Sequence, residues 1–212
     1  MYKCTLISIL VFCLYGCGSA RGRLTVYGSF PKPAAKTTGG KPVMLEVDYI
    51  PRKDWAVLKI EDVHTTPMGN LPPDKITVHH TAEARDDFTV SDPDYMRVID
   101  RFHQKQRGWA CIGYHFVIGL DGTIYEGRPL TLQGAHVRSH NPRNIGIALM
   151  GNCEQKSPSQ AQVDALAASV TALQTYYSIP KDRLYGHRDL GQTVCPGRKL
   201  YDIIKKMKSE EN

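Results

Sequence analysis

Two adjacent histidines, His79-His80, close the alternating run Ile76-Thr77-Val78. A third, His187, lies far downstream in Tyr185-Gly186-His187-Arg188-Asp189, eight residues before Cys195-Pro196-Gly197. Imidazole nitrogen and thiolate sulfur are the ligands zinc prefers, and three protein ligands with a fourth position open to water are the pattern of a catalytic site. A cysteine eight residues after a histidine is no zinc-finger spacing. From spacing alone, a metal site therefore competes with structural histidines beside a buried thiol. Outside the first twenty residues there are three cysteines, Cys111, Cys153 and Cys195, an odd number. In an oxidising compartment an odd thiol needs its own explanation, and a metal-bound thiolate supplies one.

The elements that must position these residues are legible as pattern. Ile76–His79 is β-branched and alternating, which predicts a strand. Asp92–Gln106 predicts a helix with Tyr95, Met96, Ile99, Phe102 and Gln106 on one face, stopped by Gly108. Tyr114–Ile118 and Thr123–Glu126 flank Leu120-Asp121-Gly122, a hairpin signal. Ile145–Met150 is a nearly continuous apolar run, as expected of a strand buried on both faces. A helix begins near Ser157-Pro158-Ser159-Gln160, with Ser157 as its cap and Gln160 completing a capping box. Val163, Leu166, Val170, Leu173 and Tyr177 mark its buried side. A last helix, about Gly197 to Lys208, buries Leu200, Ile203, Ile204 and Met207. Strands alternating with helices predict an α/β fold, a single mixed central sheet flanked by helices.

The chain has 212 residues, 42% hydrophobic and 23% charged, with a formal net charge of +6. This composition excludes collagen-like, coiled-coil and wholly disordered chains. The basic charge suits an anionic partner, whether nucleic acid, an anionic membrane surface or an acidic polymer such as cell wall, but the charges are scattered, a weak bias rather than a nucleic-acid footprint. Lys3, the uncharged stretch Thr5–Tyr15 and the small residues Gly16-Cys17-Gly18-Ser19-Ala20 predict an export signal over 1–20. Two cleavage sites compete. Leu14-Tyr15-Gly16-Cys17 resembles a bacterial lipobox, which would lipidate Cys17 and hold the protein at the outer membrane facing the periplasm; Gly18-Ser19-Ala20 would release a secreted protein. Residues 21–47, rich in Gly, Pro, Lys and Thr, read as a flexible tether, and 48–212 as the functional domain. The domain is expected to be a monomer.

Val78-His79-His80-Thr81-Ala82, Gly108-Trp109-Ala110-Cys111-Ile112-Gly113-Tyr114-His115-Phe116, Asp121-Gly122-Thr123-Ile124-Tyr125-Glu126-Gly127-Arg128, Gly134-Ala135-His136 and the segment from Gly186 to Gly197 resemble, in order, the peptidoglycan recognition proteins and the bacteriophage lysozyme-type zinc amidases. The resemblance begins at Pro51-Arg52-Lys53-Asp54-Trp55 and runs to the last helix. It implies Zn2+ held by His79, His187 and Cys195, with His80 turned to the other side of the strand. It implies a catalytic role for Tyr114, with Thr193 where the phage enzymes have lysine. His136, Asn141 and Arg128 are expected to meet substrate, Arg128 through a stem-peptide carboxylate or else as a surface salt bridge. Trp109 is expected in the core or groove wall, and His103 on the helix surface or in packing.

The activity implied is hydrolysis of the amide joining N-acetylmuramic acid to L-alanine in peptidoglycan or muropeptides. A peptidoglycan-binding receptor without turnover and a secreted antibacterial effector of the same chemistry are the alternatives. Members that only bind have typically lost the cysteine matched by Cys195. The disulfide common after the His-His pair in animal members has no counterpart. Cys111 and Cys153 either pair with each other or stand as separate buried thiols.

Overall fold

The computed structural model describes residues 22–23, 47–83 and 90–209. The expected export signal, Cys17 and most of the expected tether lie outside the described residues. Gly22–Arg23 (β1) pairs antiparallel with Asp48–Tyr49 (β2). The short helix α1 (Arg52–Trp55) follows, then β3 (Lys75–His80), α2 (Asp92–Arg107), the hairpin β4 (Phe116–Ile118) and β5 (Ile124–Glu126), and β6 (Asn144–Leu149). The chain ends with α3 (Gln160–Tyr177), β7 (Leu184–Gly186) and α4 (Arg198–Ser209). Five strands form one sheet in the order β5-β4-β6-β3-β7, with only β4 and β5 antiparallel. The fold is thus the mixed, helix-flanked α/β sheet that the alternation of elements predicts. No helix among the described residues is long and apolar enough to cross a membrane.

Side chains alternate across the two central strands, and the two faces have different chemistry. Ile76 and Val78 of β3, with Ile145, Ile147 and Leu149 of β6, join Leu166, Val170, Leu173, Leu200 and Ile204 in an apolar layer under α3 and α4. Ala148 of β6 and Val117 of β4 pack on the other side with Trp55, Tyr95, Met96 and Ile112. Thr77 and His79 fall on that second side, where Thr77 Oγ1 donates to Asn144 Oδ1 at 3.0 Å. β3 lies between β6 and β7, so its carboxyl end is flanked on both sides.

Two local expectations change, and one open alternative is decided. α3 is capped by Ser159, whose hydroxyl accepts from Gln162 N–H while the Gln162 side chain accepts from Ser159 N–H. The box therefore sits two residues later than Ser157 and Gln160, because Ser159 Oγ also donates to Leu120 O and ties the helix start to the hairpin. On α2 the buried residues are Asp92, Tyr95, Met96, Asp100, His103 and Gln104, while Phe102 is 47% exposed. The helix is rotated towards polar residues because Asp100 Oδ2 accepts from Arg52 Nη2 at 2.7 Å and Asp100 Oδ1 accepts from Ile112 N–H at 2.7 Å. Finally, Cys111 and Cys153 are separate buried free thiols. Cys153 packs in the layer under α3 and α4, whereas Cys111 neighbours Arg128, Arg52 and Asp100.

Candidate metal centre

His79 is delivered by the sheet. It occupies the penultimate position of β3, is 1% exposed, and faces away from the α3–α4 layer. His80 points the other way, and its Nδ1 accepts from Cys153 N–H at 3.1 Å.

His187 and Cys195 are delivered by the segment after β7. A single 3-10 turn, His187–Asp189, projects His187, and Asp189 Oδ2 accepts from Gly186 N–H at 2.8 Å. The segment then folds back, with Arg188 N–H donating to Cys195 O at 2.9 Å. Thr193 Oγ1 accepts from Cys195 N–H at 3.1 Å, which leaves the hydroxyl proton free to donate elsewhere. Gly197 closes the turn at φ +88°, where an added Cβ would stand 2.4 Å from the Cys153 carbonyl carbon, so both conformation and space demand glycine.

These pieces bring the predicted ligands together. One ligand atom from each of His79, His187 and Cys195 lies within 4.8 Å of the others. Cys195 Sγ stands 3.6 Å from His79 Nδ1. Zinc ligated tetrahedrally by sulfur at about 2.3 Å and nitrogen at about 2.0–2.1 Å separates those two atoms by about 3.6 Å. The donor set fits the ion. Burial, with the neighbouring His136 and His187 adding to it, holds the His79 pKa well below its usual value, and burial also lowers His187. Neutral imidazoles are the form that binds metal. Burial pushes the Cys195 thiol up to about 12, against a backbone hydrogen bond from His80. At neutral pH this sulfur keeps a proton unless a cation takes the proton's place.

Tyr114 lies beside the cluster, its ring centroid 5.1 Å from that of His79. Burial, then the charge Cys195 carries when ionised, raises its pKa, so the phenol stays a donor.

The three residues expected to meet substrate are placed as follows. Arg128 is 3% exposed and donates to the backbone carbonyls of Ile112, Gln133 and Cys111 at 2.9, 2.9 and 3.0 Å. It thus braces the segment leading to Tyr114 and makes no salt bridge with the described residues. Asn141 Oδ1 accepts from the N–H groups of His136 and Val137 at 2.9 and 2.8 Å, shaping that turn. His136 is 7% exposed and lies behind His79, with its Nδ1 3.0 Å from His79 Nε2. Trp109 is half-buried and lies against the buried His103, ring centroids 4.5 Å apart.

Asn144, Gly146 and His115 complete the surroundings, and none stood out by residue type. His115 is pinned at both nitrogens, Nδ1 accepting from Gly146 N–H at 2.9 Å and Nε2 donating to Leu132 O at 3.1 Å. The one signal available was a glycine inside the apolar run Ile145-Gly146-Ile147, which often marks a close approach in a strand.

A mixed sheet with a His/His/Cys cluster at the carboxyl ends of β3 and β7, the edge where open α/β sheets place ligands, defines an α/β protein with a donor cluster able to hold a metal ion. The chain belongs to the N-acetylmuramoyl-L-alanine amidase family, whose pattern matches residues 69–198. It is 39% identical to an N-acetylmuramoyl-L-alanine amidase of Sus scrofa over 140 residues, 64% of this chain and 23% of that one. It therefore spans about a quarter of the length of such mammalian relatives.

Among solved structures it is similar to the N-acetylmuramoyl-L-alanine amidase LysC from Clostridium intestinale, at 34% identity and a TM-score of 0.60 over 73% of this chain and 97% of that one. It is also similar to a mutant of Drosophila PGRP-LB in complex with tracheal cytotoxin, at 32% identity and a TM-score of 0.66 over 74% of this chain and 92% of that one.

Proposed function

We propose that the protein is a zinc-dependent N-acetylmuramoyl-L-alanine amidase, cleaving the amide between N-acetylmuramic acid and L-alanine in peptidoglycan or muropeptides. The observation that carries this is the complete donor set, with Cys195 Sγ 3.6 Å from His79 Nδ1. Zinc, when bound, lowers the pKa of water towards about 7 and polarises a carbonyl. His79, His187 and Cys195 hold the ion. Tyr114, kept protonated by burial, donates a hydrogen bond to the carbonyl oxygen as it gains negative charge. Thr193 adds its free hydroxyl proton but no positive charge, so its help is smaller. One such donor is worth about 2.7–4 kcal/mol of barrier.

The same proposal divides the chain into an export signal over 1–20, a tether over 21–47 and the amidase domain over 48–212. The apolar stretch Thr5–Tyr15 after Lys3 supports export. Peptidoglycan is the partner outside the cytoplasm, and Leu14-Tyr15-Gly16-Cys17 supports a lipid anchor at Cys17, with release after Ala20 as the alternative.

Mass spectrometry of purified muropeptides tests the activity, with the native chain and Cys195→Ala compared with and without added zinc. The expected result is release of stem peptide starting at L-alanine by the native protein and none by the variant. Binding without cleavage by the zinc-loaded native protein, on both diaminopimelic acid and lysine stem peptides, would overturn the amidase and leave a receptor.

A further inference from the structure

His136 stands out because it is a buried polar side chain placed directly against a proposed metal ligand. Its Nδ1 is 3.0 Å from His79 Nε2, and its Nε2 is 3.2 Å from the backbone oxygen of Asn144. A carbonyl oxygen only accepts, so His136 carries a proton on Nε2. Its Nδ1 is then the acceptor, and the proton between the rings belongs to His79 Nε2. The opposite direction would need protons on both His136 nitrogens, a buried cation whose titratable neighbours His115, His187 and Arg128 include no anion. With Nε2 protonated, neutral His79 has its lone pair on Nδ1, the atom that faces Cys195 Sγ.

The slot around His136 is built to hold it. A Cβ at Gly134 would lie 2.4 Å from the His136 ring and one at Gly146 2.7 Å from it, so larger residues at either position would displace the imidazole. Asn141 Oδ1 fixes its backbone. The His115 ring, itself held at both nitrogens, stands edge-on at 5.8 Å.

Resting on the metal site proposed above, we infer that His136 is a positioning residue. It locks His79 in the Nε2–H tautomer and in one ring orientation, so that Nδ1 is presented to the zinc. Partners of a metal-binding histidine that fix its tautomer typically change metal affinity about 10–100-fold when removed.

The experiment compares native protein with His136→Phe, which keeps a ring without an acceptor, and His136→Asn, whose Oδ1 replaces Nδ1. Zinc affinity is read by competition with a chromogenic chelator, and the His79 tautomer by imidazole nitrogen NMR shifts on the zinc-free chain. The expected result is an Nε2–H signature for native His79, affinity about 10–100-fold weaker in His136→Phe, and recovery in His136→Asn. An Nδ1–H signature in the native protein overturns the proposal whether or not the variants fold. Unchanged affinity in a folded His136→Phe overturns it alone, leaving the metal site standing. No zinc uptake by the native protein overturns the metal site and this proposal together.

Discussion

The two sides of the ligand cluster are built by different means. On the sheet side, His79 sits within a β-ladder and against His136, while Tyr114 follows a segment braced by Arg128 and Asp100. On the loop side, His187 and Cys195 are held by a few turn hydrogen bonds, and both are only partly buried. The contrast teaches that damage to the sheet side should reach the whole fold, while damage to the loop side should stay at the site.

The largest effect is expected from Asp100→Ala. It strands the buried Arg52 guanidinium, whose Nη1 already has no partner, and frees Ile112 N–H. Removing one member of a buried ion pair costs about 3–5 kcal/mol, read as a lower urea midpoint. Tyr114→Phe tests the opposite kind of sheet-side change, chemistry without architecture. Turnover of muropeptide should fall about 100–1000-fold, with zinc content and melting temperature unchanged. Loss of zinc in that variant would mean that Tyr114 supports the ligands themselves.

Acid sharpens the same comparison. His115 and His103 both lie on the sheet side, and burial brings each down to about 4, with Asp100 pulling His103 the other way. An unfolded histidine titrates near about 6.5, so between those values the unfolded chain binds more protons. The stabilisation is fully present above the unfolded value and is lost as pH falls through the folded one. Urea midpoints should drop between about pH 7 and about pH 4, and by less in His115→Gln; an equal drop would assign the loss to other groups. The smallest effect is expected on the loop side. Thr193→Ala leaves Cys195 N–H without its acceptor, costing about 1 kcal/mol in zinc affinity with no shift in global melting, and Thr193→Ser should restore it.

How far these sides could be seen in advance differs in kind. β6 is plain because every residue from Asn144 to Leu149 is buried, which leaves a nearly continuous apolar run from Ile145 on. The apolar face assigned to α2 included Phe102 and Gln106, but the helix turns Asp100, His103 and Gln104 inward. Hydropathy counts those residues as surface; Asp100 and His103 find their partners, Arg52, Ile112 N–H and Gly113 N–H, outside the helix, and Gln104 donates to Asp100. Arg128 also finds partners that its residue type does not announce. A guanidinium suits a carboxylate, yet here it satisfies three backbone carbonyls that no local pattern announces.

The sequence by itself determined the alternation of strands and helices, through periods of 2 and 3.6 residues that are local to the chain. It also supplied ligand-type side chains at His79, His80, His187 and Cys195, and the family resemblance implied which three act together. Only the tertiary structure decided that Nδ1 is the His79 atom facing Cys195, that His136 stands behind that ring, and that Cys111 and Cys153 remain apart. Those outcomes depend on which residues from distant segments meet across the sheet, and hydrogen-bond direction and ring orientation are set only when they do.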